Sequence, residues 1–382
     1  MNGIDVNKAK AVTLVQKPAI FRETRPGMDV TRILFPTHQE LHLSLRPLPG
    51  EKPDEMVRRL AAILRERNAS IVRHEVFGSI SVCSETLHTL RRELNGVDWP
   101  VTWVEGSAPI SGGISGMHIF AVAGTPVDTI CQEGEPVGRI FSDGCFKHCL
   151  LGGISSSKQY ALKADQCREV LERLADILSE AGMDVTNVVR TWFFLDDIFG
   201  WYGDFNRVRN EFFHQKKVFN GLVPASTGIG GRNPAGNALV AGVWAVQPDS
   251  EFATVREVIS PLQCPAAKYG GAFSRAILMR GGGLQRLLVS GTASIEPGGQ
   301  SMHGGDLTKQ IEMSMAVTQA ILKSCGFDFE DVIRATGYFR DWHDAPSPGL
   351  RGGQCRQSVI VQTDICRPEL LFEIELDAVL AV

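Results

Sequence analysis

The sequence predicts an α+β protein built from tandem copies of one unit, each a mixed sheet with helices on one face. Three observations lead there. Two distant segments align without a gap, AGMDVTNVVRTWFFLDD from Ala181 and CGFDFEDVIRATGYFRD from Cys325, matching Gly182 to Gly326, Arg190 to Arg334 and Asp197 to Asp341. Each is preceded by an apolar run containing a glycine and then by a helical pattern. Each is followed by further apolar, β-branched runs, so the likeness extends through glycines, strands and order, and a repeat is a better account than chance.

The first unit opens on the strand CLLGGISSS, with Gly153. Val170, Leu171, Leu174, Ile177 and Leu178 then fall at helical spacing. Gly182 stands where a helix C-terminal glycine belongs, because a residue without Cβ turns the chain out of the helix cheaply. The strand VVRTWFFL follows, then a short helical stretch, then the strands PASTGIG from Pro224 and ALVAGVWAV from Ala238. The second unit repeats the order. LLVSGTASI carries Gly291; Ile311, Met315, Val317, Ile321 and Leu322 make the helix; Gly326 ends it; VIRATGYF, RQSVIVQT from Arg356 and LLFEIELDAVLAV from Leu370 are strands. A sheet with helices on one face must bury the other against something else. The units are expected at 136–250 and 251–382. Residues 1–135 read β-α-β-α through VTRILFP, MVRRLAAILRERN, IVRHEVFGSISV and LHTLRRELN, and this order suggests a third, decayed unit.

Composition narrows the partners. Of 382 residues 43% are apolar and 21% charged, and the net charge is −4, so there is no basic footprint for nucleic acid. No signal-peptide-like run and no long apolar stretch is present, which predicts a cytosolic chain with no membrane contact. The nine scattered cysteines suit reduced thiols. Cys145, His148 and Cys149 sit beside a strand without a second pair at zinc spacing, and His38 and His42 flank Glu40 without an H-E-x-x-H pattern. No glycine run leads into a P-loop lysine. Neither a metal nor a cofactor is expected.

The second unit resembles the RidA (YjgF) family, whose fold is also described as chorismate-mutase-like. YGGAFSRAILMRGGGLQRLLVSGTASI from Tyr269 is similar to that family's opening G-P-Y-S-Q-A run and its strand ending V-S-G, and CRPELLFEIELDAVLAV from Cys366 is similar to its closing strand with E-I-E. DFNRVRNEFF from Asp204 and PAST from Pro224 resemble its helix and its P-A-R-S run. The resemblance implies mixed sheets packed into a barrel-like core, sites in clefts between units, and a catalytic carboxylate at Glu373. It also implies either a homotrimer or a single chain that approximates the trimeric ring. Departures weaken an ordinary enamine/imine deaminase: serines Ser226 and Ser358 replace the family's arginine, Ala241 stands where the first unit's carboxylate belongs, and Phe273 replaces a tyrosine. PASTGIGGRNPAGN, QCPAAKYGGAFSRA from Gln263 and RTWFFLDDIFGWYGDFNRVRN from Arg190 resemble the chorismatases, long chains with two RidA-like units and an added N-terminal portion. That resemblance implies a small anionic substrate, chorismate, cleaved at its enolpyruvyl ether to pyruvate plus a dihydroxycyclohexadienoate or a hydroxybenzoate. A metabolite-binding protein that has lost the chemistry is the competing reading.

The candidate residues follow. Strand alternation sets Leu371, Glu373 and Glu375 on one face and Phe372, Ile374 and Leu376 on the other. A glutamate on an apolar strand in a cleft has its pKa raised by desolvation, as a general acid needs. Glu375 is expected to be the solvated one. Cys366, seven residues before Glu373, is implied by the chorismatase resemblance to belong to the hydroxybenzoate branch. Arg232, Arg275, Arg356 and Arg139 are candidates for gripping carboxylates through the planar guanidinium fork. Gly230 and Gly231 could let backbone N–H groups approach an anion, and Tyr202 could hydrogen-bond substrate.

Overall fold

The structure is a computed structural model that describes residues 17–107, 113–157, 162–341 and 357–382. In chain order the first sheet is built from β1 (Ala19–Arg25), β2 (Met28–Leu34), β3 (Gln39–Leu45), β4 (Ser70–Gly78), β5 (Val101–Val104) and β6 (Ile114–Ala123), with α1 (Pro53–Arg67) and α2 (Cys83–Glu93) between them. The second contains β7 (Asp128–Gln132), β8 (Glu135–Ser142), β9 (Phe146–Ser155), β10 (Val188–Leu195), β11 (Ala225–Gly230) and β12 (Leu239–Pro248), with α3 (Lys163–Glu180) and α4 (Ile198–Gln215). The third contains β13 (Thr254–Val258), β14 (Ala276–Gly281), β15 (Leu284–Ala293), β16 (Val332–Phe339), β17 (Ser358–Gln362) and β18 (Phe372–Ala381), with α5 (Leu307–Ser324). The short helical stretch expected after β16 falls outside the described residues.

All three sheets have one strand order. Number the six strands of each as they come along the chain, and every sheet runs first, second, third, sixth, fourth, fifth. In each, the fourth and fifth strands are parallel and the sixth is antiparallel to its neighbours. Even the irregularity repeats: the ladder slips between Ile71 and Arg73, Val188 and Arg190, and Val332 and Arg334. The sheet changes between Ala123 and Asp128, so the division expected at 135/136 runs through the β7–β8 hairpin.

Local sequence explains the helices. In α3, Val170, Leu171, Leu174, Ile177 and Leu178 are buried on one face, and Gly182 follows in the left-handed region at φ +70°. In α5, Met315, Val317, Ile321 and Leu322 are buried, and Gly326 turns the chain at φ +83°. The helices cover the outer face of each sheet, forming separate cores around Leu60, Leu171 and Ile321. The inner faces meet in one further core, where Phe77 and Phe120 of the first sheet, Trp192 and Trp244 of the second, and Leu288 and Tyr338 of the third pack together. Among the described residues the sheets remain three ladders with packed inner faces, bridged at Ser107–Gln362 and Ala225–Ser274. No helix among the described residues is long and apolar enough to cross a membrane.

Candidate active site

Glu373 sits on β18 between two partners, opposite Ala293 of β15 and Tyr338 of β16. The pleat sends Phe372, Ile374 and Leu376 into the core under α5 and leaves Glu373 on the inner face, 5% exposed. Room for its carboxyl comes from Gly291, because a Cβ there would overlap Glu373 Oε1. The Gly291 N–H is fixed by Thr227 Oγ1 of the second sheet at 3.1 Å.

A cavity of about 200 Å³ opens over this carboxyl between the second and third sheets. Gly291, Phe273 and Arg275 line it from the third sheet's side, Ser226 and Gly228 from β11, and Tyr202, Asn206 and Arg209 from α4; Cys366 and Arg367 close it from the turn before β18. Three of these residues are arginines. Arg209 is buried, donates to Asn206 Oδ1 at 2.8 Å and lies over the Phe205 ring. Arg275 is held by the Cys264 carbonyl through Nε at 3.1 Å and Nη2 at 3.0 Å. Arg367 is held by the Gly299 carbonyl at 2.9 Å and Ser301 Oγ at 3.1 Å.

Burial, and after it the neighbouring Glu375 charge, pushes the Glu373 carboxyl up to about 8, while Arg190 and Arg275 pull the other way. At neutral pH Glu373 is therefore mostly protonated and can donate. Burial, then the Glu373 charge, pushes the Cys366 thiol up to about 12, so it is a thiol and not a thiolate. Burial likewise raises the Tyr202 phenol, with Cys366 the next cause. Everything close to Glu373 other than the arginines is thus neutral at pH 7 apart from Glu375.

Glu375 corrects the expectation of a solvated side chain. It is fully buried and receives hydrogen bonds from Arg190 Nη2 and Arg334 Nη2, each at 2.5 Å, Trp192 Nε1 at 3.0 Å, Tyr338 OH at 3.2 Å and the Thr227 hydroxyl. Burial opposes its charge, and Arg334 and Arg190 together outweigh burial, holding the carboxylate down at about 2. Alternation gave the right face but not its environment, since the inner face is covered by the other two sheets.

The register also corrects the position read as Ala241. Glu373 lies opposite Ala293 and Tyr338; the residue in the second sheet opposite the matching Ser155 and Phe194 is Val240. Ala241 points to the outer core around α3, one residue out of phase. In the first sheet the equivalent place is Gly116, opposite Phe77, and a Cβ there would run into Val359 of β17. Of these three positions, the third alone carries an acid.

The structure brings Arg275, Tyr202 and Cys366 to Glu373 but not Arg232, Gly230, Gly231 or Arg139. Arg232 pairs with Glu105 at a separate cavity of about 730 Å³ where the ends of β5, β11 and β17 meet. Gly230 and Gly231 line that cavity too, and their N–H groups are spent on the Asp364 and Leu195 carbonyls at 2.8 and 2.9 Å. Arg139 is buried against Asp98, whose carbonyl and carboxylate it meets at 2.8 and 2.9 Å. Arg356 lies outside the described residues. His148 is engaged by Asp143 at 3.0 Å and Trp244 Nε1 at 3.1 Å. Sequence reasoning missed Arg209, Asn206 and Arg367. Tyr202, Asn206 and Arg209 stand at i, i+4 and i+7 of α4, a helical face that was readable.

Comparison with known proteins agrees with this architecture. The endoribonuclease L-PSP family matches residues 155–260. A 3-hydroxybenzoate synthase of Streptomyces hygroscopicus is 27% identical over 285 residues, 65% of this chain and 78% of that protein. A 2-iminobutanoate/2-iminopropanoate deaminase of Rattus norvegicus is 30% identical over 90 residues, 24% of this chain and 61% of the relative. A solved chorismatase structure aligns with a TM-score of 0.59 over 81% of this chain and 93% of its own, at 19% identity, a likeness of fold.

Proposed function

Because the chain is a RidA-superfamily protein that resembles the chorismatases, we propose that it cleaves the enolpyruvyl ether of chorismate with Glu373 as general acid. The observation that carries this reading is a buried carboxyl, pushed up to about 8, at the floor of a small cavity ringed by Arg209, Arg275 and Arg367. A substrate with two carboxylates needs cations, and its enol ether needs a proton; the cavity offers both. Glu373 protonates the enol methylene, turning it into the methyl of an oxocarbenium ion. Water adding to the cationic carbon beside that methyl gives a hemiketal, whose collapse breaks the ether bond and releases pyruvate and a dihydroxycyclohexadienoate. Attack by the substrate's own neighbouring hydroxyl instead leads through an arene-oxide-type intermediate to a hydroxybenzoate and pyruvate, with no net water consumed. The thiol of Cys366 beside the acid, and the likeness to a 3-hydroxybenzoate synthase, favour the second branch.

The reading extends to organisation. The shared strand order supports assigning the first sheet, 19–123, to a decayed third unit, with the two units that follow it forming the cleft. One chain then takes the place of the small family members' trimer. An imine deaminase is the weaker reading, since Ser226 lines the cavity at the position of the family's arginine. The direct test incubates the purified protein with chorismate and follows pyruvate. Release by wild type and a loss of about 100-fold or more in Glu373→Gln are expected, as removal of a general acid costs on that order. Equal rates in both proteins would remove Glu373 from the chemistry.

A further inference from the structure

β18 presents Glu373 and Glu375 on one face, about 7 Å apart along the strand. Two cations reach Glu375 from different sheets, Arg190 from the second and Arg334 from the third. It is tied as well by the Thr227 hydroxyl, which donates to Glu375 and accepts from Arg190 Nη2 at 2.7 Å and from the Gly291 N–H at 3.1 Å. Gly291 is the residue whose missing side chain admits the Glu373 carboxyl. A continuous set of hydrogen bonds therefore joins the buried charge to the wall on which the acid rests.

The other two sheets show what this arrangement is not for. Arginine occurs at the same place in all three, as Arg73, Arg190 and Arg334. The threonine-to-glycine bond also recurs, from Gly153 N–H to Thr102 Oγ1 at 2.9 Å. Yet the position of Glu375 is taken by Gly242 in the second sheet and His118 in the first, just where Val240 and Gly116 replace the acid. The central packing does not demand a carboxylate at this position in every unit. The carboxylate is present in the unit that carries the acid.

We propose that Glu375 is a positioning residue for the site: its buried charge, clamped by Arg190 and Arg334, holds the proton on Glu373 and, through Thr227, fixes the Gly291 wall beside it. The proposal rests on Glu373 being the acid, and it deepens that reading. The other groups around Glu373 are Arg190 from β10, Arg275 from the segment before β14, Tyr202 and Arg209 from α4, and Cys366 and Arg367 from the preceding turn. The arginines favour the ionised form, and the phenol and thiol are neutral. Glu375 is the charged neighbour that opposes ionisation, and burial supplies the rest.

The test needs no substrate, so its outcome is separate from whether chorismate is cleaved. The carboxylic C=O stretch of Glu373 is followed by infrared titration of the whole protein and identified by its loss in Glu373→Gln. Wild type should titrate near 8. Glu375→Gln should titrate lower by about one unit or more, since a like charge has gone and two cations remain. The double variant Glu375→Gln/Arg190→Gln removes opposed charges together and is the safer one to fold, because breaking a buried pair costs more than deleting it. Its midpoint should lie between the single variant and wild type. A midpoint that stays at the wild-type value in either folded variant would overturn the proposal.

Discussion

Gly291 and Glu373 form one functional unit at the scale of single residues, because the carboxyl occupies the space a side chain at 291 would take. Gly291→Ala should therefore displace the acid and abolish most of the activity while the chain still folds, measured as pyruvate release beside a circular dichroism spectrum. The proton on Glu373 has a stability sign as well. Its folded pKa, about 8, lies above the 4.5 of an ordinary glutamate in an unfolded chain, so its contribution is fully present below 4.5 and is lost as pH rises through 8. Glu373→Gln, which mimics the protonated form, should be more stable than wild type at pH 8 by on the order of 4 kcal/mol and about equal at pH 4.5. Urea unfolding at both pH values measures this; a variant less stable at pH 8 would contradict it. Alternation in LLFEIELDAV made the face of Glu373 legible. The fate of Glu375 was not, because burial of that face depends on two other sheets that no local pattern describes.

At the scale of elements, helices and central strands were readable because they carry strong periodicity, and α3 and α5 are followed by Gly182 and Gly326, which the backbone needs at positive φ. The outer strand β1 was not: AIFRETR is largely exposed on both faces and has no apolar alternation to reveal it. Register was the other loss. A one-residue error in register reverses every side chain, and only the ladder shows that Val240, not Ala241, faces Phe194 as Glu373 faces Tyr338. The helices hold the sheets through well-filled cores, so Ile321→Ala in α5 should cost about 2–5 kcal/mol by the loss of buried methyl groups. Denaturant midpoints measure it, and a cost below about 1 kcal/mol would mean that the core under α5 can collapse around the gap.

The whole molecule places three sheets of one topology around a shared core, and the candidate cavity is lined from the second and third of them within one chain. Activity per chain should accordingly be independent of protein concentration across the range in which any oligomer dissociates. Loss of activity on dilution, with the fold intact, would show that a second chain completes the site. The first sheet's kinship was present in the sequence as IVRHEVF, which shares its arginine with VVRTWFF and VIRATGY, but only the bulge and register reveal that Arg73 is the equivalent residue. Position on this larger scale also explains Arg232, Gly230 and Gly231: a glycine-rich run beside an arginine looks like an anion site locally, while the fold carries it to the far ends of the strands. The central claim is that Glu373 delivers a proton to the enol methylene. Its most direct measurement is turnover of chorismate in heavy water, with the pyruvate trapped at once as lactate. The account predicts one deuterium in each methyl group, and no such product from Glu373→Gln. Methyl groups free of deuterium, or no pyruvate from the wild-type protein, would contradict it.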